Sequence, residues 1–245
     1  FSIVIAMKVL ELFSGTGSVK KICDELGWEC ISVDITDKLH PVDYKVDILE
    51  WDYKLLEKDF DIVWASPPCA SFSAMLHIHK HIDIQQRMTD IGLPLLYKTR
   101  EIIDYFNPKY YFIENPDTGR MKNFIEDLPF FRVCYCRYGM GYKKPTRIWS
   151  NIEGFEPLYC NHKTHSETIG PSRTGAKKPI PPGYKAYNGK SFTLADKYTI
   201  PPDLIREFAL SLEMNPSEDG SWPGLRSKSL HEIDNELHQN IFLFL

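Results

Sequence analysis

Two consecutive prolines, Pro67 and Pro68, come two residues after an apolar run at residues 60–64. The run has the β-branched and aromatic content of a buried strand, and two prolines cannot continue the hydrogen-bond ladder of a sheet. The chain must therefore leave the sheet at this point. Because both prolines have a fixed φ, they hold the next residue, Cys69, in one direction on a stiff loop. This placement favours a reactive cysteine, although cysteines more often pack as small buried hydrophobes.

A strand, a glycine-containing turn and a helix are predicted near the start of the chain. Residues 8–13 form a short apolar run, and the turn at residues 14–18 contains Gly15 and Gly17. Apolar residues then recur at helical spacing up to Gly27, where the helix is expected to end. The two glycines allow the backbone to approach a ligand, and the N–H groups at the start of a helix favour a carboxylate or a phosphate.

Acidic residues accompany the next two apolar runs. The run at residues 29–33 ends in Asp34, and nucleotide-binding folds place the partner of a ribose hydroxyl at such a position, about 20 residues beyond the first strand. Asp47 lies within the run at residues 45–49. For both residues the alternative is a surface aspartate at the end of a strand.

More of the sheet is predicted downstream of Cys69. A helical stripe between Leu95 and Phe106 ends before Pro108, and an aromatic strand at residues 109–113 runs into Glu114. Ligands of open α/β sheets gather at the carboxyl ends of the parallel strands. The sequence therefore predicts an α/β fold in which four residues face one crevice: Gly15, Asp34, Cys69 and Glu114.

The pattern changes in the second half of the chain. Two short strands at residues 133–138 and 146–150 predict a hairpin. Residues 151–190 are rich in Gly, Pro, Ser and Lys, and Pro201-Pro202 opens a helix with one apolar face. We therefore divide the chain into a core at 7–150, a small irregular region at 151–190, a helix returning to the core at 191–214, and a polar tail at 215–245.

Two groups of potential metal ligands occur in the sequence. Cys134 and Cys136 precede Cys160, His162 and His165, but their spacing does not match the usual paired-ligand patterns of zinc sites, and we expect no metal there. A mobile polar loop is expected at residues 73–88, around three alternating histidines: His77, His79 and His81.

The composition is that of a protein without a membrane span. The chain of 245 residues is 43% hydrophobic and 25% charged, and it has no apolar run long enough to cross a bilayer. Its first six residues lack the basic start of a signal peptide, and Met7 is expected to be the natural first residue. The six cysteines are therefore expected to be reduced thiols in a cytoplasmic compartment.

Basic charge is concentrated in one segment, although the net charge is −4. Residues 137–190 contain ten Lys or Arg against three Asp or Glu, with Tyr and Trp between the cations. Such a segment could follow a phosphate backbone and stack on bases. A solvated basic face is the alternative.

Four ordered segments resemble the DNA cytosine-5 methyltransferases, particularly the short members carried by bacteriophages. Residues 10–17 (LELFSGTG) are similar to the S-adenosylmethionine loop of that family, and residues 66–73 (SPPCASFS) to its nucleophile motif. Residues 108–116 resemble the motif of its catalytic glutamate, and residues 138–149 the hairpin that carries a catalytic arginine.

The resemblance implies a Rossmann-like, S-adenosylmethionine-dependent methyltransferase fold with a small irregular recognition insertion. It implies that Cys69, Glu114 and Arg147 are catalytic. The partner that it implies is double-stranded DNA, bound by a monomer in the cytoplasm of a bacterium or a phage-infected cell, in a restriction-modification setting. The residues implied to bind the cofactor are Phe13, Ser14, Gly15, Thr16, Gly17, Ser18, Asp34, Ile35, Asp47 and Ile48.

The chain departs from the family pattern at several positions. Ala70 replaces the usual Gln, Pro116 replaces the usual Val, and only Arg147 matches the paired arginines. A Gly-Asn pair common in the family is absent near residues 198–202. Two alternatives therefore stay open, a transfer-RNA cytosine-5 methyltransferase and a catalytically impaired DNA-binding relative. An amino-methyltransferase is disfavoured, because that chemistry uses an aromatic residue where this chain has Cys69.

Overall fold

The computed structural model describes residues 6–73, 83–160 and 193–214, and these contain a seven-stranded sheet in the order β3-β2-β1-β4-β5-β7-β6. Strands β1 to β5 are parallel, β7 runs antiparallel to β5, and β6 pairs antiparallel with β7. The strands are β1 (Lys8–Leu12), β2 (Glu29–Asp34), β3 (Tyr44–Lys45), β4 (Ile62–Ala65), β5 (Tyr110–Pro116), β6 (Phe130–Cys134) and β7 (Pro145–Ser150).

Helices cover both faces of the sheet, so the prediction of an α/β, Rossmann-like fold is confirmed. A π-helical turn at Met88–Gly92 joins α2 to α3, and α5 begins at the second proline of its predicted pair. The helices are α1 (Ser18–Leu26), α2 (Ile84–Arg87), α3 (Leu93–Phe106), α4 (Leu194–Tyr198) and α5 (Pro202–Met214).

Successive side chains of each strand point to opposite faces of the sheet, and each face carries an apolar core. On the first face, Val9, Trp64 and Phe112 pack with the buried side chains of α1 and α5. On the second face, Val63 and Ile113 pack with those of α3. The central strands are buried on both faces, which explains why their sequences are continuous apolar runs rather than alternating ones.

The predicted hairpin is confirmed, but its first strand is displaced. Residues 135–138, predicted as strand, form a 3-10 helix, and β6 ends at Cys134. Cys134 pairs with Pro145, which has no N–H to extend the ladder. A second correction concerns the polar loop predicted before residue 88, because Ile84–Arg87 is helical and leads through the π-helical turn towards α3.

Several predictions concern residues outside the described part of the chain. These are the histidines at 77, 79, 81, 162 and 165, most of the irregular region, and the tail from residue 215. Among the helices of the described residues, none is long and apolar enough to cross a membrane.

Candidate active site

The loop after β4 carries Cys69 and is held by two hydrogen bonds of different origin. The amide of Ser66 donates to the carbonyl of Leu12 (3.2 Å), so the loop begins as an extension of the sheet. The side-chain amide of Asn115 then donates to the carbonyl of Pro67 (2.9 Å) inside the protein. Since Asn115 follows Glu114 on β5, this bond fixes the cysteine loop relative to the glutamate strand.

The sequence predicted that Glu114 follows the end of its strand. In the structure Glu114 lies within β5, because β5 continues to Pro116 along β7. The neighbouring strand β4 stops at Ala65, opposite Ile113, so Glu114 lies just past the carboxyl end of β4. Its side chain is buried, with 6% of the residue exposed.

Two groups contact the same oxygen of Glu114. The hydroxyl of Tyr135 donates to Oε1 at 2.8 Å, and the ammonium of Lys144 lies 3.7 Å from Oε1. Lys144 also donates to the carbonyl of Lys197 (3.1 Å) and lies over the Tyr135 ring, 4.5 Å from its centre. The hairpin and the segment around α4 therefore hold the carboxylate in place.

The thiol of Cys69 is electrostatically coupled to this carboxylate. Burial raises the pKa of Cys69, the positive charge of Lys144 lowers it, and the negative charge of Glu114 raises it. Burial and the neighbouring Cys69 also raise the pKa of Tyr198 at the end of α4. The charges of Glu114 and Lys144 thus act on the Cys69 thiol, and that thiol acts in turn on the Tyr198 hydroxyl.

Lys144 was not among the residues predicted from the sequence. It lies three residues before Arg147 on the same hairpin, and its side chain is 13% exposed. A lysine in a basic segment gives no indication of which carboxylate it will face. One sign was available in the sequence. Only one arginine matches the paired arginines of the family, so another cation was to be expected near the glutamate.

Arg147 lies on the other face of the sheet. It pairs with Asn115 in the register of β5 and β7, so its side chain is on the face opposite Glu114. Its guanidinium contacts the carboxylate of Asp117 (3.0 Å) and covers the Phe130 ring at 3.9 Å. The structure does not bring Arg147 together with the Glu114 carboxylate.

The turn between β1 and α1 is tied to Asp34. Gly15 and Gly17 have φ values of 54° and 65°, and Phe13 shares this left-handed conformation with φ 59°. The amide of Gly15 donates to one carboxylate oxygen of Asp34 (2.9 Å), and the amide of Thr36 donates to the other (2.9 Å). The turn and the end of β2 are thus held together, and Gly15 lies next to Asp34.

A buried glutamate on β1 binds both the turn and the start of α1. Glu11 accepts hydrogen bonds from the hydroxyl of Ser14 (2.8 Å) and from the amides of Val19 (3.1 Å) and Lys20 (3.2 Å) at the start of α1. Burial raises the pKa of Glu11 to about 7 despite these donors. Glu11 was not predicted as part of the site, because its position within an apolar strand gives no sign of its partners.

The other predicted cofactor residues surround the turn or follow it. The hydroxyls of Thr16 and Ser18 are hydrogen-bonded (2.8 Å), and Ser18 accepts the amide of Ile200 ahead of α5 (3.1 Å). Ile35, next to Asp34, is 67% exposed. Asp47 accepts the amide of Leu49 (3.0 Å) in its own turn, and Ile48 is buried in the second core.

Comparison with known proteins agrees with this arrangement. A family model described as C-5 cytosine-specific DNA methylase matches residues 7–123. A probable DNA (cytosine-5)-methyltransferase of Frog virus 3 (isolate Goorha) is 40% identical over 213 residues, which cover 82% of this chain and 98% of that protein. The solved structure of the Entamoeba histolytica methyltransferase EhMeth has a TM-score of 0.50 at 14% identity, over 65% of this chain and 58% of that one.

The family model and the viral relative show that this chain is an enzyme of the methyltransferase class, and the solved structure shares its fold. The chain belongs to the C-5 cytosine-specific DNA methylase family. The predicted family is thereby confirmed, and the viral relative is consistent with the predicted short, phage-like member.

Proposed function

We propose that this chain is a DNA (cytosine-5)-methyltransferase that methylates C5 of a cytosine flipped out of double-stranded DNA. The proposal rests chiefly on one observation. The loop that carries Cys69 is bonded through the Pro67 carbonyl to Asn115, the residue after Glu114, and the charges of Glu114 and Lys144 both act on the Cys69 thiol. Family membership supports DNA as the substrate.

The groups around the glycine turn fit S-adenosylmethionine. The positive φ values of Gly15 and Gly17 let the backbone of the turn approach the methionine part of the cofactor closely. The Asp34 carboxylate suits ribose hydroxyls, and the exposed Ile35 offers an apolar surface for the adenine. When bound, S-adenosylmethionine would supply an electrophilic methyl group. We assign its binding to the residues predicted from the sequence, with Asp34 as the main polar contact.

The proposed role of Cys69 follows from the electronic structure of cytosine. C5 is a weak nucleophile, because the ring electrons are delocalised. Addition of the Cys69 thiolate forms a bond between Sγ and C6, and the electrons of the C5–C6 double bond become available at C5. After C5 is methylated, a base such as water removes the C5 proton. The double bond then re-forms, the bond between Sγ and C6 breaks, and Cys69 leaves as a thiolate.

Glu114 is proposed to share a proton with N3 of the base and to take it back at the end of the reaction. As sulfur adds to C6, negative charge would develop on the ring, and a proton shared between Glu114 and N3 offsets it. Tyr135 and Lys144 both contact Oε1, so we assign Oε2 to the base. The proton returns to the carboxylate when the thiolate is expelled.

Lys144 is proposed to take the electrostatic role that the family resemblance assigned to Arg147. Its positive charge favours the thiolate form of Cys69. Its ammonium group also contacts the carboxylate of Glu114. Arg147, bound to Asp117, is then a structural residue that secures the turn after β5.

Base flipping is required, because C5 and C6 of a cytosine lie inside the stacked duplex. The basic and aromatic segment at residues 137–190 is proposed to track the DNA backbone of the target, with one protein chain on each duplex. Its +7 local charge balance predicts binding that weakens as salt is raised.

Methyl incorporation from labelled S-adenosylmethionine tests the proposed function. We expect label in double-stranded DNA, located at C5 of cytosine after digestion to nucleosides, and no label with the Cys69→Ala variant. Label in transfer RNA but not in DNA would overturn the assignment of substrate. Absence of label from both, with folded protein that binds the cofactor, would favour an impaired relative.

Replacement of Asp34 is expected to weaken cofactor binding. Asp34→Ala removes a charged acceptor for ribose and the anchor of the Gly15 amide. Hydrogen bonds to charged groups contribute about 1.5–3 kcal/mol, so the dissociation constant for S-adenosylmethionine should rise roughly 10- to 100-fold. Titration calorimetry measures the change. Asp37→Ala, which removes an exposed carboxylate of the same loop, is the matched control. An unchanged constant for Asp34→Ala would place the ribose elsewhere.

Replacement of Lys144 is expected to change the pH dependence of methyl transfer. Lys144→Met removes the positive charge that lowers the pKa of Cys69, so that pKa rises and less thiolate is present at neutral pH. The ascending limb of kcat/KM against pH should move to higher pH, and Lys144→Arg should restore it in part. Lys143→Met is the neighbouring control. An unshifted profile in Lys144→Met would assign Lys144 a packing role only.

A further inference from the structure

Three buried cysteines converge at the end of the hairpin strand β6, outside the proposed active site. The sulfur atoms of Cys134, Cys136 and Cys160 all lie within 4.8 Å of one another. Those of Cys134 and Cys136 are 3.1 Å apart. At most 7% of any of these residues is exposed. The proposed methyl-transfer chemistry uses none of the three.

Local backbone structure explains why the three sulfurs meet. Cys134 is the last residue of β6, and Cys136 lies in the 3-10 helix Tyr135–Tyr138 that follows. The amide of Cys134 donates to the carbonyl of Leu158 (3.1 Å), and the amide of Leu158 donates to the hydroxyl of Tyr138 (2.9 Å). These two bonds hold the segment before Cys160 against the turn.

The spacing of the sulfurs fits a tetrahedral thiolate site. A zinc–sulfur bond of about 2.3 Å implies sulfurs roughly 3.8 Å apart in a tetrahedron. The separation of Cys134 and Cys136, 3.1 Å, is shorter than that value, and no pair of the three sulfurs is more than 4.8 Å apart. Small rotations about the Cα–Cβ bonds would equalise the separations. A disulfide joins only two sulfurs, so it would leave the third cysteine of this cluster without a role.

We propose that Cys134, Cys136 and Cys160 bind one thiophilic divalent cation, Zn²⁺ in the first instance. The site replaces the sequence-based expectation of no metal, which rested on spacing alone. Cys134 and Cys160 are 26 positions apart in the sequence, and only the fold brings them together.

When the metal binds here, it replaces the protons of the coordinating thiols. Each thiol that coordinates gives up its proton, so three Zn–S bonds form as up to three S–H bonds are lost and Zn²⁺ gives up bound waters. No oxidant is consumed. A fourth position is completed by water or by another donor.

The site would fix the segment before Cys160 to the hairpin that serves Glu114. Cys134 and Cys136 flank Tyr135, whose hydroxyl holds the Glu114 carboxylate. The cation would therefore cross-link the first part of the irregular region at 151–190 to the turn that carries Tyr135. Its contribution is to structure and not to the chemistry of the base.

Metal content of the intact chain tests the proposal independently of methyl transfer. The protein is purified under reducing conditions, supplied with Zn²⁺ and passed over a chelating resin, and zinc is then measured by mass spectrometry. We expect about one Zn²⁺ per chain in the wild type and a loss of most of it in Cys136→Ser and Cys160→Ser. Cys30→Ser, which alters a buried cysteine next to Cys23 in the first core, is the matched control and should retain zinc.

A second measurement uses the wild type alone, in case the variants fail to fold. Replacement of zinc by Co²⁺ should produce the intense near-ultraviolet charge-transfer band of cobalt–thiolate bonds, and added Zn²⁺ should abolish it. Absence of this band, together with no retained zinc, would overturn the proposal. A native mass lower by two hydrogens without metal would overturn it as well, because it would identify a disulfide instead.

Discussion

Cys69→Ala is expected to abolish methyl transfer while cofactor affinity stays nearly unchanged. The substitution removes the only atom proposed to bond to C6, whereas the residues assigned to the cofactor lie in the turn after β1 and next to the ends of β2 and β3. Loss of a catalytic nucleophile reduces turnover by roughly 10⁴-fold or more. Single-turnover transfer to duplex DNA and calorimetric titration of S-adenosylmethionine measure the two quantities in parallel.

A matched control separates the role of Cys69 from general damage to a cysteine. Cys23→Ala removes a buried thiol from α1, in the first core and away from the crevice. This variant should keep turnover close to that of the wild type after correction for folded protein. Measurable steady turnover in Cys69→Ala would remove this residue from the mechanism.

Glu114→Gln is expected to lower the rate of the chemical step by roughly 10²- to 10⁴-fold, the range for a lost proton donor. Glutamine keeps the size of the side chain and can still accept from Tyr135, but it cannot share a proton with N3. The loss should fall on kcat rather than on the affinity for DNA. Rapid-quench measurement of transfer from the preformed complex tests this.

Glu101→Gln provides an unusually close control for Glu114. Glu101 on α3 also accepts from a tyrosine, Tyr53 (2.5 Å), and pairs with a lysine, Lys98 (2.8 Å), but it lies away from the crevice. Its replacement should leave the rate of transfer nearly unchanged. Equal losses in Glu101→Gln and Glu114→Gln would mean that the effect is one of stability and not of proton transfer.

The parts of the fold that depend on local pattern were predictable from the sequence. The apolar runs before Asp34 and Cys69 become the buried parallel strands β2 and β4, and Gly27 ends α1 in the left-handed conformation with φ 71°. Two prolines after β4 force the chain out of the sheet, as their missing N–H groups require. Convergence of Gly15 with Asp34 then follows from the rule that binding groups gather at one edge of a parallel sheet.

The groups that tune the candidate site were not predictable, because their roles depend on contacts distant in sequence. The bond between Asn115 and the Pro67 carbonyl joins residues 48 positions apart. Lys144 and Arg147 are both cations of one hairpin, and only the register of β5 and β7 shows which face Arg147 occupies. Convergence of Cys160 on Cys134 likewise depends on a backbone bond to Leu158.

Covalent trapping on fluorinated DNA tests the central claim most directly. In 5-fluorocytosine the atom that must leave C5 after methylation is fluorine, which a base cannot remove as it removes a proton, so the bond between Cys69 and C6 should persist. With S-adenosylmethionine and a pool of duplexes of varied sequence, we predict a denaturation-resistant complex whose digestion yields the modified base on the peptide that contains Cys69. No such complex with active, cofactor-binding protein, or one that forms equally with Cys69→Ala, would contradict the account.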